Sequence, residues 1–143
     1  MEQALDLARK CVAAGDVPVG ALVVDASGRI VGRGRNVRVE RGDPTGHAEI
    51  LALREAAATL GTWRLDGCTL VVTLEPCPMC AGAAGQARLA RVVFGAWDDK
   101  AGACGSVWDL LRGRSVLHEV EVVGGVHGEA CADVLRDFFA ARR

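Results

Sequence analysis

The chain has 143 residues and a formal net charge of −1, which is the length of one domain of ordinary size. It is 50% hydrophobic and 24% charged, a balance that excludes disordered and low-complexity chains. No apolar run approaches the roughly 18 residues of a membrane span, and the N-terminal segment MEQALDLARK lacks the apolar stretch of a secretory signal. We therefore expect one cytoplasmic domain over residues 1–143, with no membrane partner.

Hydrophobic spacing predicts helices and strands that alternate along the chain. Apolar residues recur at helical spacing from Ala4 to Val12, and short β-branched runs bounded by glycine or proline indicate strands. The predicted helices cover residues 2–14, 47–60, 76–89, 107–111 and 129–142, and the predicted strands cover 18–25, 29–37, 68–74, 91–96 and 116–123. This order predicts an α/β domain whose sheet carries helices on both faces.

Two short clusters contain the residues that metal-assisted catalysis needs. His47-Ala48-Glu49 begins one predicted helix, and Cys77 and Cys80 form a C-x-x-C at the start of the next. One imidazole and two thiolates give three protein ligands, and a zinc site with three ligands keeps its fourth position for water. The unpaired N–H groups and positive dipole of a helix start favour the thiolate form that a metal requires. Glu49 adds a carboxylate beside that water, so the pattern predicts a catalytic zinc site.

Other interpretations of the cysteines stay open at this point. The C-x-x-C could be a redox pair, although this leaves the histidine and Glu49 without a role. A closed structural zinc site needs a fourth ligand, which Cys68 or Cys104 could supply if the fold brought it close. Cys11 and Cys131 stand alone, and the reducing compartment expected here disfavours a disulfide framework.

The pattern H-x-E followed by P-C-x-x-C is the signature of the zinc nucleobase deaminases. Over most of its length the chain resembles the bacterial tRNA-specific adenosine deaminases more specifically. Free-base deaminases share the two zinc motifs, whereas the FGA-x-D-x-K-x-G loop and the FF-x-x-R-R ending resemble the tRNA enzymes. The matching stretches, in order, are DVPVGALVVD (16–25), GRN (34–36), DPTGHAEILALR (43–54), WRLDGCTLVVTLEPCPMCAGA (63–83), RVVFGAWDDKAGACGS (91–106) and FFAARR (138–143).

The resemblance implies a cytidine-deaminase-like three-layer fold, with a five-stranded mixed sheet flanked by helices on both faces. It implies that His47, Cys77 and Cys80 bind one Zn²⁺ per subunit, which activates water for attack on C6 of adenine. Glu49 is then the catalytic residue that accepts and delivers the protons. The products would be inosine and ammonia.

The resemblance also implies which residues contact the target nucleotide. Asn36 is expected to contact the purine edge, although a residue of this type also ends strands and turns without any ligand. The Ala48 backbone N–H is expected to bind the oxygen that forms at C6. Asp98 and Lys100 lie in the loop that would touch the flanking nucleotides, and the preceding Trp97 could stack on a base or pack at a subunit interface.

The end of the chain is the last candidate RNA contact. By resemblance, Phe138, Arg142 and Arg143 belong to a C-terminal helix that lines a tRNA anticodon loop, although Phe138 could equally be core and the arginines a solvated end. The near-neutral net charge means that RNA binding would depend on such a local patch. The expected partners are tRNA and a second copy of the chain, with no DNA.

The chain departs from the family pattern at Ala84-Gly85-Gln86, where bulkier residues are common in a helix that lies at the family's dimer interface.

The expected function is zinc-dependent deamination of adenosine to inosine at the wobble position, 34, of a tRNA, with an arginine tRNA as the expected substrate. Two alternatives are deamination of free bases or nucleosides such as guanine or cytidine, and a non-catalytic RNA-binding subunit. The intact Glu49 disfavours the non-catalytic alternative.

Overall fold

The computed structural model describes all residues from Met1 to Arg143. Its helices are α1 (Glu2–Cys11), α2 (Arg38–Arg41), α3 (Ala48–Leu60), α4 (Pro78–Gln86) and α5 (Gly128–Ala140), with a 3₁₀ turn over Val12–Ala14. Its strands are β1 (Gly20–Val24), β2 (Ile30–Arg35), β3 (Thr69–Leu74), β4 (Arg91–Ala96) and β5 (Glu121–Val123). None of the helices combines the length and the apolar composition that a membrane crossing needs.

The strands form one mixed sheet in the order β2-β1-β3-β4-β5. β1 pairs antiparallel with both β2 and β3, whereas β3, β4 and β5 run parallel. The β3–α4–β4 connection is therefore a crossover of the kind that parallel strands require. The five-stranded mixed sheet confirms the predicted fold class.

Helices pack directly on both faces of the sheet because small residues let the backbones approach. A Cβ atom on Gly34 of β2 would lie 2.1 Å from the Ala48 carbonyl oxygen of α3. On the other face, a Cβ on Gly95 of β4 would lie 2.3 Å from the Cys131 sulfur of α5. The main core lies between the sheet and the α3–α4 layer, where Leu70 and its neighbours pack on alanines of both helices. The start of α3 is thus held tightly against the sheet.

The predicted helix over 107–111 is wrong, and the strand over 116–123 is shorter than predicted. The N–H groups of Val107 and Trp108 both donate to the Gly102 carbonyl oxygen at 3.1 Å, so the segment folds back as a loop. Only Glu121–Val123 pairs with β4, because Val120 donates its N–H to Leu111 instead, at 3.0 Å. Both differences come from hydrogen bonds to residues outside the segment concerned, which hydrophobic spacing within the segment does not reveal.

Helix α2 was not predicted, and it forms because a buried carboxylate caps it. Asp16 accepts hydrogen bonds from the N–H groups of Val39 at 2.7 Å and Glu40 at 3.0 Å. These N–H groups lack partners within the helix, and a buried anion at a helix start stabilises them. Asp16 is 23 positions from Val39 in the chain. The short helix carries Arg38 toward the site described next.

Candidate zinc-dependent active site

The candidate site lies where two helices begin side by side. His47 is the N-cap residue of α3 and Cys77 is the N-cap residue of α4, both in extended backbone. Pro78 follows at the first position of α4, where its missing N–H costs no hydrogen bond. Cys80 lies in the first turn of α4, so its thiol faces the same point as that of Cys77. The positive ends of both helix dipoles therefore converge on this cluster.

The ligand atoms of His47, Cys77 and Cys80 fit a tetrahedral zinc ion. His47 Nδ1 lies 3.4 Å from the Cys80 sulfur and 3.6 Å from the Cys77 sulfur, and all three atoms lie within 4.8 Å of one another. Zinc bonds of about 2.0–2.1 Å to nitrogen and about 2.3 Å to sulfur place these atoms roughly 3.5 Å apart in a tetrahedron. Neither Cys68 nor Cys104 belongs to the cluster, which leaves the fourth position open and disfavours a closed structural site.

The cluster is electrostatically prepared for a cation. Hydrogen bonds from Cys80 and His47 lower the pKa of the Cys77 thiol to about 4, against the opposing effect of burial. Cys80 keeps its proton because it shares it with the neighbouring Cys77 thiolate, so its pKa is raised. A metal replaces such shared protons when it binds, since its cysteine ligands must be thiolates.

Glu49 lies next to the metal cluster and is almost completely buried. Burial raises the pKa of its carboxyl to about 7, with the neighbouring His47 charge opposing that effect. A carboxyl with a pKa near neutrality can both accept and deliver a proton. This is the property that a general acid and base requires.

A small cavity opens directly onto this cluster. Its volume is about 180 Å³, below the roughly 300–1,000 Å³ typical of pockets for drug-sized ligands, so it suits one ring system rather than a whole nucleotide. Twelve residues line it: Val17, Val19, Asn36, Arg38, His47, Ala48, Glu49, Leu74, Glu75, Cys77, Asp98 and Ala101.

Asn36, Ala48 and Asp98, which the resemblance assigns to substrate contact, all line that cavity. Asn36 is buried; its Nδ2 donates to the Val17 carbonyl oxygen at 3.1 Å, which leaves its second N–H free to orient toward a ligand. Ala48 provides the first N–H of α3, which has no partner within the helix. Asp98 accepts hydrogen bonds from the N–H groups of Lys100 and Ala101 and so shapes its own loop.

The remaining predicted RNA contacts lie together outside the cavity. Lys100, Arg142 and Arg143 line an open groove of about 760 Å³ beside α5. Phe138 does not line it: the side chain is 5% exposed and packs under the Arg142 guanidinium, which lies 3.5 Å from the ring centre. The alternative interpretation of Phe138 as a core residue therefore describes its position better than direct contact with a ligand.

Sequence reasoning missed two charged residues that line the cavity, Arg38 and Glu75. Arg38 belongs to the unpredicted helix α2, and no local pattern singles it out. Glu75 is an acidic residue directly after the apolar run of β3 and directly before Pro76. That position was the available signal, because a carboxylate at the end of a buried strand needs hydrogen-bond partners.

Residues 1–96 match the family model for the cytidine and deoxycytidylate deaminase zinc-binding region. This match covers strands β1 to β4, the starts of α3 and α4, and every predicted zinc ligand. The chain therefore belongs to the zinc-dependent cytidine and deoxycytidylate deaminase family. Its cofactor is Zn²⁺.

Two relatives are similar to the chain over its whole length. The chain is 48% identical over its full length to the tRNA-specific adenosine deaminase of Haemophilus influenzae, of which it covers 83%. It is 54% identical to a Deinococcus deserti protein named tRNA(Ile)-lysidine synthase, but it spans only 27% of that longer relative.

Two solved structures superpose on nearly the whole chain. One from biochemical and structural studies of A-to-I editing by tRNA:A34 deaminases superposes with a TM-score of 0.90 at 41% identity, covering 94% of this chain and 97% of the other. A guanine deaminase from Nitrosomonas europaea superposes with a TM-score of 0.81 at 32% identity, covering 97% and 82%.

Proposed function

We propose that the chain deaminates adenosine to inosine at the wobble position of a tRNA, with an arginine tRNA as the expected substrate. The observation that carries this proposal is the base-sized cavity at the His47–Cys77–Cys80 cluster, next to a groove lined by basic residues. The tRNA-specific relative and the tRNA:A34 deaminase structure support the same substrate. An unpaired anticodon loop is also the kind of RNA from which a single base can be extruded into such a cavity.

His47, Cys77 and Cys80 hold the zinc in this proposal, and each remaining residue has a defined role. When bound, zinc acts as a Lewis acid that makes water nucleophilic near neutral pH. Glu49 takes a proton from the attacking water, delivers a proton to N1 of the purine, and then assists departure of the exocyclic amine. Adenosine and water thereby yield inosine and ammonia.

Two neutral groups orient the base. The free N–H of Ala48 donates to the oxygen that forms at C6, at the positive end of α3, where developing negative charge is stabilised. The Asn36 side chain contacts the purine edge through its second amide N–H. Because Asn36 is buried and already bonded to Val17, its orientation is set before the base arrives.

We propose that the RNA around the target base follows the loop and groove that flank the cavity. Asp98 contacts a flanking nucleotide at the cavity mouth, and Lys100, Arg142 and Arg143 neutralise backbone phosphates. Phe138 contributes by supporting the Arg142 guanidinium rather than by touching RNA.

We also propose that residues 1–143 form one deaminase domain that acts in the cytoplasm as a homodimer. An apolar groove of about 380 Å³ runs between α3 and α4. Trp63, which lines it, is 62% exposed. Ala83 of α4 and Ala87, the residue directly after α4, line it as well. These small residues stand next to the Ala84-Gly85-Gln86 departure. Sedimentation at the monomer mass would contradict this part of the proposal.

A second candidate function is deamination of a free base such as guanine. The net charge of −1 and the similarity to the Nitrosomonas europaea guanine deaminase favour it. The two functions differ in whether the groove beside α5 is used, since a free base needs only the cavity.

The test compares substrates directly. Zinc-loaded protein is incubated with an arginine-tRNA anticodon stem-loop, free adenosine, guanine or cytidine, and inosine or ammonia is measured. Glu49→Ala is the inactive control, and Glu55→Ala, an exposed change on the same helix, is its matched active control. Inosine in the stem-loop alone supports the proposal; turnover of a free base with an unreacted stem-loop contradicts it.

A further inference from the structure

Glu75 is a buried carboxylate that the proposed chemistry does not use. It follows β3 and precedes the zinc-ligand segment, and it is 2% exposed. No Lys or Arg side chain pairs with it: its hydrogen-bond donors are backbone N–H groups and one hydroxyl. A buried charge without a basic partner is expensive unless its acceptor positions are filled.

Every hydrogen bond that Glu75 accepts comes from the loop 98–106. Oε2 accepts from the Asp98 N–H at 2.9 Å and from the Ser106 hydroxyl, and Oε1 accepts from the N–H groups of Cys104 at 3.1 Å and Ser106 at 3.0 Å. A carboxylate offers about four acceptor positions. Since these donors fill them, no acceptor position of Glu75 is left for a base in the cavity.

The loop is shaped to receive this carboxylate. A Cβ atom on Gly102 would lie 2.2 Å from Glu75 Oε2 and 2.5 Å from the Asp98 carbonyl oxygen, so a residue with a side chain would push the carboxylate out of the loop. The Ala103 N–H also donates to the Pro76 carbonyl oxygen at 2.8 Å. The loop that carries Asp98 is therefore joined to the segment that leads into Cys77.

We propose that Glu75 is a positioning residue that fixes the 98–106 loop, and with it Asp98, at the mouth of the cavity. It acts on RNA recognition through Asp98 rather than on the chemical step. The inference rests on the proposed function, because it concerns the loop expected to contact the nucleotides beside the target base.

The test is Glu75→Gln, which keeps the shape but turns one acceptor oxygen into an NH₂ group facing the Asp98 N–H. A hydrogen bond to a charged group is worth about 1.5–3 kcal/mol, so amide exchange at Asp98 should quicken by about tenfold or more. The KM for an anticodon stem-loop should rise while kcat and the zinc content stay near the wild-type values, because binding is lost and not chemistry. Glu55→Gln is the matched exposed control and should change none of these.

Gly102→Ala keeps the inference testable if Glu75→Gln folds poorly, and an Asp98→Ala background tests the coupling if Glu75→Gln folds well. Gly102→Ala displaces the same carboxylate from the loop side, and it should reproduce the faster exchange at Asp98 with Glu75 itself intact. In an Asp98→Ala background, the KM effect of Glu75→Gln should largely disappear, since Glu75 acts through that residue.

The outcomes separate this inference from the proposed function. Unchanged exchange at Asp98, loss of zinc, or fully additive KM effects would overturn the positioning role. A wild-type protein that makes no inosine in the stem-loop would overturn the proposed function, while amide exchange would still report whether Glu75 orders the loop.

Discussion

Gly34 on β2 is the position where a one-carbon change should do most damage to the metal site. Its added Cβ would lie 2.1 Å from the Ala48 carbonyl oxygen and 2.7 Å from the Ala52 nitrogen. Ordinary nonbonded contacts need about 3.5 Å, so α3 would have to move away from the sheet by about 1.4 Å. Because the obstructing atoms are backbone, no side-chain rotation can relieve the overlap.

The cost of Gly34→Ala has two parts. Overpacking of this kind destabilises by about 1–3 kcal/mol, and we expect the upper end because the backbone itself must shift. The start of α3 also carries His47, as its N-cap residue, and Glu49, so the same movement separates the imidazole from the two thiolates. A misplacement of about 1 Å in a catalytic arrangement can cost roughly 10²-fold in rate.

Urea unfolding of the zinc-loaded protein and zinc release to a chromophoric chelator measure the two parts separately. Gly82→Ala is the matched control. Gly82 lies in α4, no atom outside the backbone of its own helix and its chain neighbours lies within 4 Å of the added Cβ, and the change should stabilise by about 1 kcal/mol through helix propensity. Ordinary surface changes alter the free energy of unfolding by up to about 0.5 kcal/mol. If Gly34→Ala stays within that range of wild type and keeps its zinc affinity, the proposed coupling between β2 and the metal site is refuted.

Three further changes test other parts of the account. Cys80→Ala removes one of three zinc ligands, so metal analysis of the purified protein should find a large fall in bound zinc; a full zinc complement would exclude the assigned ligand set. Asp16→Ala leaves the α2 N–H groups without their buried acceptor and should cost about 2 kcal/mol in urea unfolding, whereas a loss below about 0.5 kcal/mol would mean that the cap is dispensable. Lys100→Ala should weaken stem-loop binding and reduce the slope of log K against log salt by about 0.7, and an unchanged slope would remove Lys100 from the phosphate contacts.

The zinc ligands could be predicted because they occur in short local patterns whose spacing is typical of metal sites. A histidine two residues before a glutamate and a C-x-x-C after a proline each indicate a helix start, and helix starts favour thiolates and anions. Hydrophobic spacing likewise placed α3, β3 and β4 within a few residues of their observed bounds.

The rest could not be predicted, because it depends on hydrogen bonds to residues outside each local pattern. Helix α2 needs Asp16, and the 98–106 loop needs Glu75, a partner 23 to 31 positions away in the chain. The segment 107–111 has the composition of a helix but bonds back to Gly102. Asp16 and Glu75 are also buried charges, which residue type alone would place at the surface.

The most direct test of the account maps inosine at every adenosine of an arginine-tRNA anticodon stem-loop after reaction with the zinc-loaded protein, with ammonia release measured in parallel. The account predicts inosine at the wobble position alone, one ammonia for each inosine, and neither product with Glu49→Ala. Ammonia from free guanine or cytidine with no inosine in the RNA, or inosine formation that survives Glu49→Ala, would contradict it.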